Sequence, residues 1–182
     1  EIDLINDLLD LQRLDASSYP VLREAVPLAV SIQTLILPFQ NRTSNRQQIL
    51  TIQTPPQLPT IQTDRAALER VWAELLNNAC KYTPPQGEIR LTVEVIDQAI
   101  EQNLVQVIFV VGNQAEIPAP ELGRIFEKFY RVPKADPWKQ GGTGLGLALV
   151  QRLVAQLNGS IDVASAAGWT TFTVKLSDCP RP

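Results

Sequence analysis

The stretch from Glu74 to Pro84 reads Glu-Leu-Leu-Asn-Asn-Ala-Cys-Lys-Tyr-Thr-Pro and decides how the rest of the sequence is interpreted. Its polar residues Glu74, Asn78 and Lys81 are spaced i, i+4 and i+7, which places them on one face of a helix. Two oxygen ligands and one cation on the same face suit Mg²⁺ and phosphate. The alternative interpretation is an ordinary solvated face opposite the leucines.

The helix that carries this stretch is predicted to begin at Arg65 and to end near Tyr82. Thr63 or Asp64 can cap its first turn, and two prolines follow its last turn. Apolar residues recur at helical spacing along one face, at Ala67, Leu68, Val71, Leu75, Leu76 and Ala79. This face is therefore expected to pack on the core.

A second informative stretch runs from Gly141 to Ala148 and reads Gly-Gly-Thr-Gly-Leu-Gly-Leu-Ala. It lies where a long irregular segment turns into a helix predicted from Leu145 to Leu157. Glycines let the backbone approach an anion closely, and the amides at a helix start face negative charge. Taken alone, the stretch is equally typical of a purely structural turn.

Composition excludes several chemistries. The 182 residues include no histidine, so the chain has no Ser-His or Cys-His nucleophilic pair, no His-ligated metal and no phosphohistidine of its own. The formal net charge is −3, and the basic residues are scattered, which argues against nucleic acid and anionic membranes as partners. The longest apolar stretch, from Val21 to Phe39, is interrupted by charges and prolines, so no membrane contact is expected.

The remaining pattern predicts an α/β (α+β) two-layer sandwich with one mixed sheet and helices on a single face. An amphipathic helix is expected near residues 2–14 and a second from Pro27 to Gln40, followed by a polar loop to Gln48. A short helix is expected from Pro120 to Phe129. Strands are expected at Ile49–Thr54, Thr60–Gln62, Glu88–Ile96, Leu104–Val111, Ser160–Ala164 and Trp169–Leu176.

Three stretches together resemble the nucleotide-binding module shared by sensor histidine kinases, gyrase-type topoisomerases and Hsp90-type chaperones. Glu74–Pro84 looks like the N box, Arg124–Arg131 looks like the F box of the kinases, and Gly142–Ala148 looks like the G2 box. Their order and spacing match the kinase branch from about residue 45 to 177, and Leu4–Asp15 is similar to the end of the second dimerisation helix of those kinases. The resemblance implies a mostly antiparallel mixed sheet of the Bergerat type.

The resemblance also implies roles for individual residues. Asn78 would coordinate the Mg²⁺ that bridges the triphosphate of ATP, with Glu74 as a metal-facing or catalytic carboxylate. Lys81 would contact phosphate, Tyr82 would line the nucleotide pocket, and Arg131 would reach the γ-phosphate.

The glycine-rich stretch and the F box would form the lid end of the same pocket. Phe126 and Phe129 would anchor the lid, with simple core packing as the alternative. Five consecutive residues would frame the phosphates beneath the lid: Gly142, Thr143, Gly144, Leu145 and Gly146.

Two positions depart from the kinase pattern. Histidine kinases usually carry Asn where Glu74 stands, whereas the gyrase and Hsp90 branches carry a Glu that orients attacking water. The G1 box, normally Asp-x-Gly-x-Gly-Ile-Pro, appears as Gly-Asn-Gln-Ala-Glu-Ile-Pro from Gly112 to Pro118. Counting back from Ile-Pro puts Gly112 at the adenine-binding Asp position, and a one-residue shift of the strand puts Asn113 there. In both registers the adenine contact is weakened, and Glu116 adds a negative charge where phosphates would lie.

We therefore expect the C-terminal ATP-binding catalytic region of a cytoplasmic two-component sensor histidine kinase, with residues 1–20 ending a dimerisation helix and residues 21–182 forming the catalytic domain. It would deliver the ATP γ-phosphoryl group to a histidine outside this chain. Its partners would be a response regulator and its own upstream helices in a homodimer. Because the chain lacks methionine and opens at Glu1 within a helical pattern, we expect it to be part of a longer protein. The alternatives are a pseudokinase that keeps the fold for signalling and an ATP hydrolase that uses Glu74.

Overall fold

The architecture combines a five-stranded sheet, a two-stranded ribbon and a layer of helices. The computed structural model describes residues 2–15, 21–99, 104–133 and 142–180. Within these ranges the helices are α1 Ile2–Asp15, α2 Leu28–Asn45, α3 Arg65–Tyr82 and α4 Gly146–Gln156. The strands are β1 Arg23–Pro27, β2 Ile49–Gln53, β3 Thr60–Asp64, β4 Glu88–Ala99, β5 Leu104–Asn113, β6 Gly159–Ala166 and β7 Trp169–Pro180.

The five-stranded sheet has the order β2-β4-β5-β7-β6. β2 runs parallel to β4, and the other neighbouring pairs are antiparallel. Helices cover one face of this sheet, since α2 lies against β2, α3 against β5 and α4 against β6. Alternate residues of β5 from Val105 to Val111 are buried accordingly. The predicted two-layer sandwich with a mixed, mostly antiparallel sheet is confirmed.

Helix α3 has both ends where the sequence predicts them. Its first turn is capped by Asp64, whose Oδ1 accepts a hydrogen bond from the Ala67 amide at 2.9 Å. Its last carbonyls are satisfied by Thr83, whose hydroxyl donates to the Ala79 carbonyl at 2.7 Å. Between these ends the apolar face is buried, with Trp72 packed against Phe109 of β5 at 4.7 Å between ring centroids.

Helix α2 is longer than predicted, and the polar loop expected from Asn41 to Gln48 is wrong for its first five residues. The buried side chains of α2 continue at helical spacing through Ile36, Phe39 and Thr43. The apolar pattern does not reveal this continuation, because Thr43 is polar. Thr43 can nevertheless be buried, because its hydroxyl donates a hydrogen bond to the Phe39 carbonyl at 2.9 Å.

Two other short elements differ from the prediction. Strand β1 was not expected, because only one of its five residues is buried; it forms by pairing antiparallel to β3, with Val26 opposite Ile61. The helix expected from Pro120 to Phe129 is wrong, since a single 3₁₀ turn at Ala119–Glu121 is followed by irregular turns. A hydrogen bond from the Tyr130 hydroxyl to Glu121 closes this segment instead.

Helix α1 packs against α4, and its Leu11 is fully buried in the same core as the other helices. The outer side of α1 keeps apolar residues in solvent, namely Leu4, Ile5, Leu8 and Leu9. Among the described residues, none of the helices has the length and apolar character that crossing a bilayer requires.

Replacing Trp72 with Ala is expected to lower the free energy of unfolding by about 3–5 kcal/mol, because the indole is 1% exposed and its removal leaves a cavity against Phe109. Urea unfolding followed by circular dichroism measures this change. Leu37→Ala on α2 is the control, since Leu37 is 62% exposed and should change stability by about 0.5 kcal/mol or less. Equal effects of the two substitutions would contradict the packing described for α3.

Candidate functional site

A cavity of about 670 Å³ opens between α3, the ends of β5 and β7, and the segments on either side of residues 134–141. Ten of the twelve site residues named from the sequence line it. They are Glu74, Asn78, Lys81, Tyr82, Asn113, Arg131, Gly142, Thr143, Gly144 and Gly146. Gly141, at the start of the glycine-rich stretch, lies outside the described residues.

The α3 wall of the cavity presents the polar face that the sequence predicts. Because the opposite face is buried in the core, Glu74, Asn78 and Lys81 are turned toward the cavity. The Lys81 ammonium lies 4.8 Å from the centre of the Tyr82 ring. These three residues therefore line the cavity on one face of α3.

The glycines of the opposite wall lie close to side chains of α3. Gly142 has a φ of +127°, and a Cβ there would lie 2.8 Å from Lys81 Nζ. A Cβ on Gly146 would lie 2.6 Å from Glu74 Oε2. The positive φ favours glycine at position 142, and at both positions the atom met is the flexible end of a side chain, which would have to move to admit a larger residue.

The F-box segment from Arg124 to Arg131 is attached to the same loop by backbone contacts. The Phe129 amide donates to the Gly144 carbonyl at 2.9 Å, and a Cβ on Gly144, where φ is +73°, would meet the Phe129 backbone at 2.8 Å. The Phe129 ring itself is 59% exposed. Phe126 packs edge-on against Phe172 of β7, with ring centroids 6.4 Å apart. Of the two F-box rings, Phe126 therefore takes the core-packing role.

Helix α4 begins at this loop without a side-chain cap among the described residues. The Thr143 hydroxyl accepts the Leu145 amide at 3.2 Å, and the amides of the next turn start at the cavity edge, where Gly146 and Leu147 line it. The Leu145 side chain is fully buried in the core, so this predicted site residue supports the loop from behind. Uncapped amides at a helix start form a site for an anionic group.

The end of β5 shows which of Gly112 and Asn113 lies in the site, a choice that the sequence left open. Successive strand residues point to opposite faces, and Asn113 shares the helix-facing side with Val111. Asn113 is 5% exposed and lines the cavity. Gly112 does not line it, and a Cβ there would instead contact Thr171 and the Trp169 ring at 3.6 Å. The structure thus brings Asn113 into the site and leaves Gly112 outside it.

Glu116 was expected to place its charge near the phosphate end. Glu116 lines the cavity, and its carboxylate accepts the Gly168 amide at 3.0 Å, at the turn between β6 and β7. The neighbouring loop is held by Thr170, which faces Asn113 across the sheet, lines the cavity and donates to the Ala115 carbonyl at 2.8 Å. Sequence reasoning missed Thr170, and pairing β5 with β7 in register would have found it.

The electrostatic surroundings of Glu74 include two residues that the sequence did not single out. Burial raises the pKa of the Glu74 carboxyl, the Arg70 guanidinium lowers it, and the Asp7 carboxylate of α1 raises it further. Arg70 Nη2 lies 2.9 Å from Glu74 Oε1 and 2.5 Å from Asp7 Oδ1. The i, i+4 spacing of Arg70 and Glu74 was visible in the sequence, whereas the contact with Asp7 spans 63 residues.

A fourth missed residue is Arg42 of α2, which reaches the cavity from outside the three motif segments. Its Nη1 donates to Asn77 Oδ1 at 2.7 Å, and both residues line the cavity. Arg42 therefore adds a cation to a site that already contains Lys81 and Arg131.

The sequence of this chain is similar to those of known sensor proteins. The Bacillus subtilis sensor histidine kinase WalK is 32% identical over 176 residues, covering 96% of this chain and 28% of WalK. The Staphylococcus aureus sensor protein SrrB is 29% identical over 181 residues, covering 98% of this chain and 29% of SrrB. The chain thus spans less than a third of the length of these curated relatives.

Among solved structures, full-length ShkA in complex with AMPPNP superposes with a TM-score of 0.80 at 25% identity, covering 99% of this chain and 36% of ShkA. The family model described as "Histidine kinase-, DNA gyrase B-, and HSP90-like ATPase" matches residues 63–179. That one continuous match contains α3, the end of β5, the F-box segment and the glycine loop, which are the walls of the cavity. The resemblance drawn from the sequence is confirmed, and the chain belongs to the histidine kinase-, DNA gyrase B- and HSP90-like ATPase family.

Proposed function

We propose that this chain is the ATP-binding catalytic region of a cytoplasmic two-component sensor histidine kinase. The observation that carries the proposal is the convergence of Asn78 and Lys81 on α3, Asn113 on β5 and the loop from Gly142 to Gly146 on one cavity. The similarity to WalK and SrrB supports the kinase branch of the family. In this role the domain delivers the γ-phosphoryl group of ATP to a histidine and so signals to a response regulator.

The cavity fits a nucleotide. Its volume of about 670 Å³ lies within the range of about 300–1,000 Å³ typical of small-molecule sites. The phosphate end is formed by backbone amides at the start of α4 and by Lys81 beside Gly142. At the other end, the Asn113 carboxamide can accept a hydrogen bond from an adenine amine.

Asn78 and Glu74 fit a Mg²⁺ ion that is held partly by the nucleotide. Within the described ranges no three acidic or thiol side chains cluster closely enough to hold a metal by themselves. Mg²⁺ commonly takes one or two protein ligands and completes its shell with phosphate oxygens and water. When bound, it would offset negative charge on the transferred phosphoryl group. Arg70 pairs with the Glu74 carboxylate at 2.9 Å, so a bound ion would share this carboxylate with the guanidinium.

The phosphoryl acceptor must lie outside this chain, because the chain has no histidine. We propose that residues 1–20 are the end of a dimerisation helix and residues 21–182 the catalytic domain. The apolar residues that α1 leaves in solvent, from Leu4 to Leu9, support a helical partner, which in a homodimer would be the upstream helices.

The second candidate is a pseudokinase, and one observation favours it. The cavity-lining residue at the adenine position is the uncharged Asn113, where the family pattern has Asp. The hydrolase alternative is weaker, since the Glu74 carboxylate that would act as a base is already paired with Arg70 at 2.9 Å. Phosphorylation of a longer chain that includes the upstream helices separates the two leading candidates: transfer to a histidine supports the kinase, and an unlabelled chain that still binds its response regulator supports the pseudokinase.

Asn78→Ala is expected to abolish Mg²⁺-dependent nucleotide binding without unfolding the domain, because it removes the amide oxygen assigned to the metal. Calorimetry in Mg²⁺ and in EDTA measures the dependence, and thermal unfolding checks the fold. The matched control is Asn77→Ala on the same helix, since the Asn77 amide is committed to Arg42 at 2.7 Å. Unchanged Mg²⁺ dependence in Asn78→Ala would refute the assignment.

Asn113→Asp is expected to tighten ATP binding selectively. A charge-assisted hydrogen bond to the adenine amine adds roughly 1.5–3 kcal/mol, or about 10- to 150-fold in affinity. In the parent chain GTP should compete nearly as well as ATP, because the remaining contacts are with the phosphates. Gly112→Asp is the control, since a side chain there points to Trp169 on the other face of the sheet. Tight, adenine-selective binding by the parent would show that another group recognises the base.

Incubation of this chain alone with labelled ATP is expected to leave no acid-labile, base-stable label, because no histidine is present to accept a phosphoryl group. Filter-bound radioactivity after acid and base treatment measures the label. Appreciable incorporation would contradict the division of roles between this chain and an external acceptor.

A further inference from the structure

Asp7 is a buried carboxylate on α1, a helix whose other acidic residues include the more exposed Asp10. Asp7 is 7% exposed. Its Oδ1 accepts a hydrogen bond from Arg70 Nη2 on α3 at 2.5 Å, and its Oδ2 lies 3.4 Å from the Thr143 hydroxyl of the glycine loop. One side chain of α1 therefore contacts both walls of the phosphate end of the cavity.

Arg70 is shared between two carboxylates. The same nitrogen, Nη2, lies 2.5 Å from Asp7 and 2.9 Å from Glu74. One cation thus faces two anions one helical turn from Asn78, so Asp7 offsets part of the positive charge that Arg70 and Lys81 bring to this end of the site. Like charges in a poorly solvated site oppose the binding of a further anion.

The position of Asp7 depends on the docking of α1. Leu11, one turn further along α1, is fully buried in the common core, and α1 lies against α4. Movement of α1 away from α4 would withdraw Asp7 from Arg70 and Thr143 together. The charge at the phosphate end therefore changes with the docking of this helix.

We propose that Asp7 is a positioning residue that couples α1 to the nucleotide site, so that docked α1 lowers the affinity for Mg-nucleotide. Asp7 contributes a repelling charge and holds Arg70 and the Thr143 hydroxyl, two groups beside the place of the phosphates. Because coupling between two binding events is reciprocal, nucleotide weakens the docking of α1 by the same factor. The inference rests on the proposed function and specifies how its site is regulated.

The test compares Asp7→Asn with Asp10→Asn. Both substitutions remove one negative charge from α1 with little change in shape, but the contact of Asp10 is with Arg13 of the same helix at 3.8 Å. Titration with Mg-AMPPNP at low ionic strength is expected to show about fivefold tighter binding by Asp7→Asn, at the lower end of typical coupling, and unchanged binding by Asp10→Asn. The difference should shrink as salt is added. A merely structural role for Asp7 would weaken binding or leave it unchanged.

Amide hydrogen exchange in α1 provides the reciprocal measurement. In the parent chain, saturating Mg-AMPPNP should speed exchange in α1, and nucleotide-free Asp7→Asn should exchange faster there than nucleotide-free Asp10→Asn. If Asp7→Asn detaches α1 altogether, tighter nucleotide binding is still expected.

The two possible failures are distinguishable. Equal affinities in the parent and both variants would overturn the coupling and leave the proposed function standing. Absence of binding in all three would overturn the proposed function and the coupling that rests on it. Weaker binding by Asp7→Asn alone would reverse the sign of the coupling and so refute the inference.

Discussion

The packing of α3 against β5 is the constraint on which the site depends. Trp72 and Leu75 are buried against the central strand, where Phe109 contacts the Trp72 ring. Because each helical residue advances by a set angle, burying this face determines the direction of Glu74 and Asn78 on the opposite side. The polar face cannot turn away from the cavity without exposing the largest buried side chain in the described core. The same packing of α3 therefore stabilises the fold and orients the candidate metal-ligating side chains.

Close approach of backbone to side chain is the second requirement. Gly142 and Gly146 bring the loop beside the flexible ends of Lys81 and Glu74, which would have to move if either glycine carried a methyl group. The loop thereby presents amides rather than side chains to the cavity, and backbone amides are positioned more precisely than flexible side chains. The contact between Gly144 and Phe129 extends this backbone arrangement to the F-box segment.

Much of this arrangement could be predicted from sequence because its signals are local. The limits of α3, its polar face and the glycine loop follow from helical spacing, the Asp64 cap and residue type. The choice between Gly112 and Asn113 could not be made locally, since it depends on the register of β5 against β7. Strand β1 was missed because it forms only by pairing with β3. Asp7 was missed because its partners lie 63 and 136 residues away, and spacing rules describe neighbours only.

Under the proposed function, the two residues that depart from the kinase pattern, one at each end of the cavity, have opposite electrostatic effects. At the base end, Asn113 stands where the family pattern has a charged Asp, so this end offers a hydrogen bond without a charge. At the phosphate end, Glu74 stands where the kinases usually have Asn, which adds a charge that Arg70 offsets. The ion pair of Glu74 with Arg70 also connects α3 to α1, because the same guanidinium contacts Asp7. Under the proposed function, affinity in this chain is therefore governed mainly at the phosphate end, where the docking of α1 can change it.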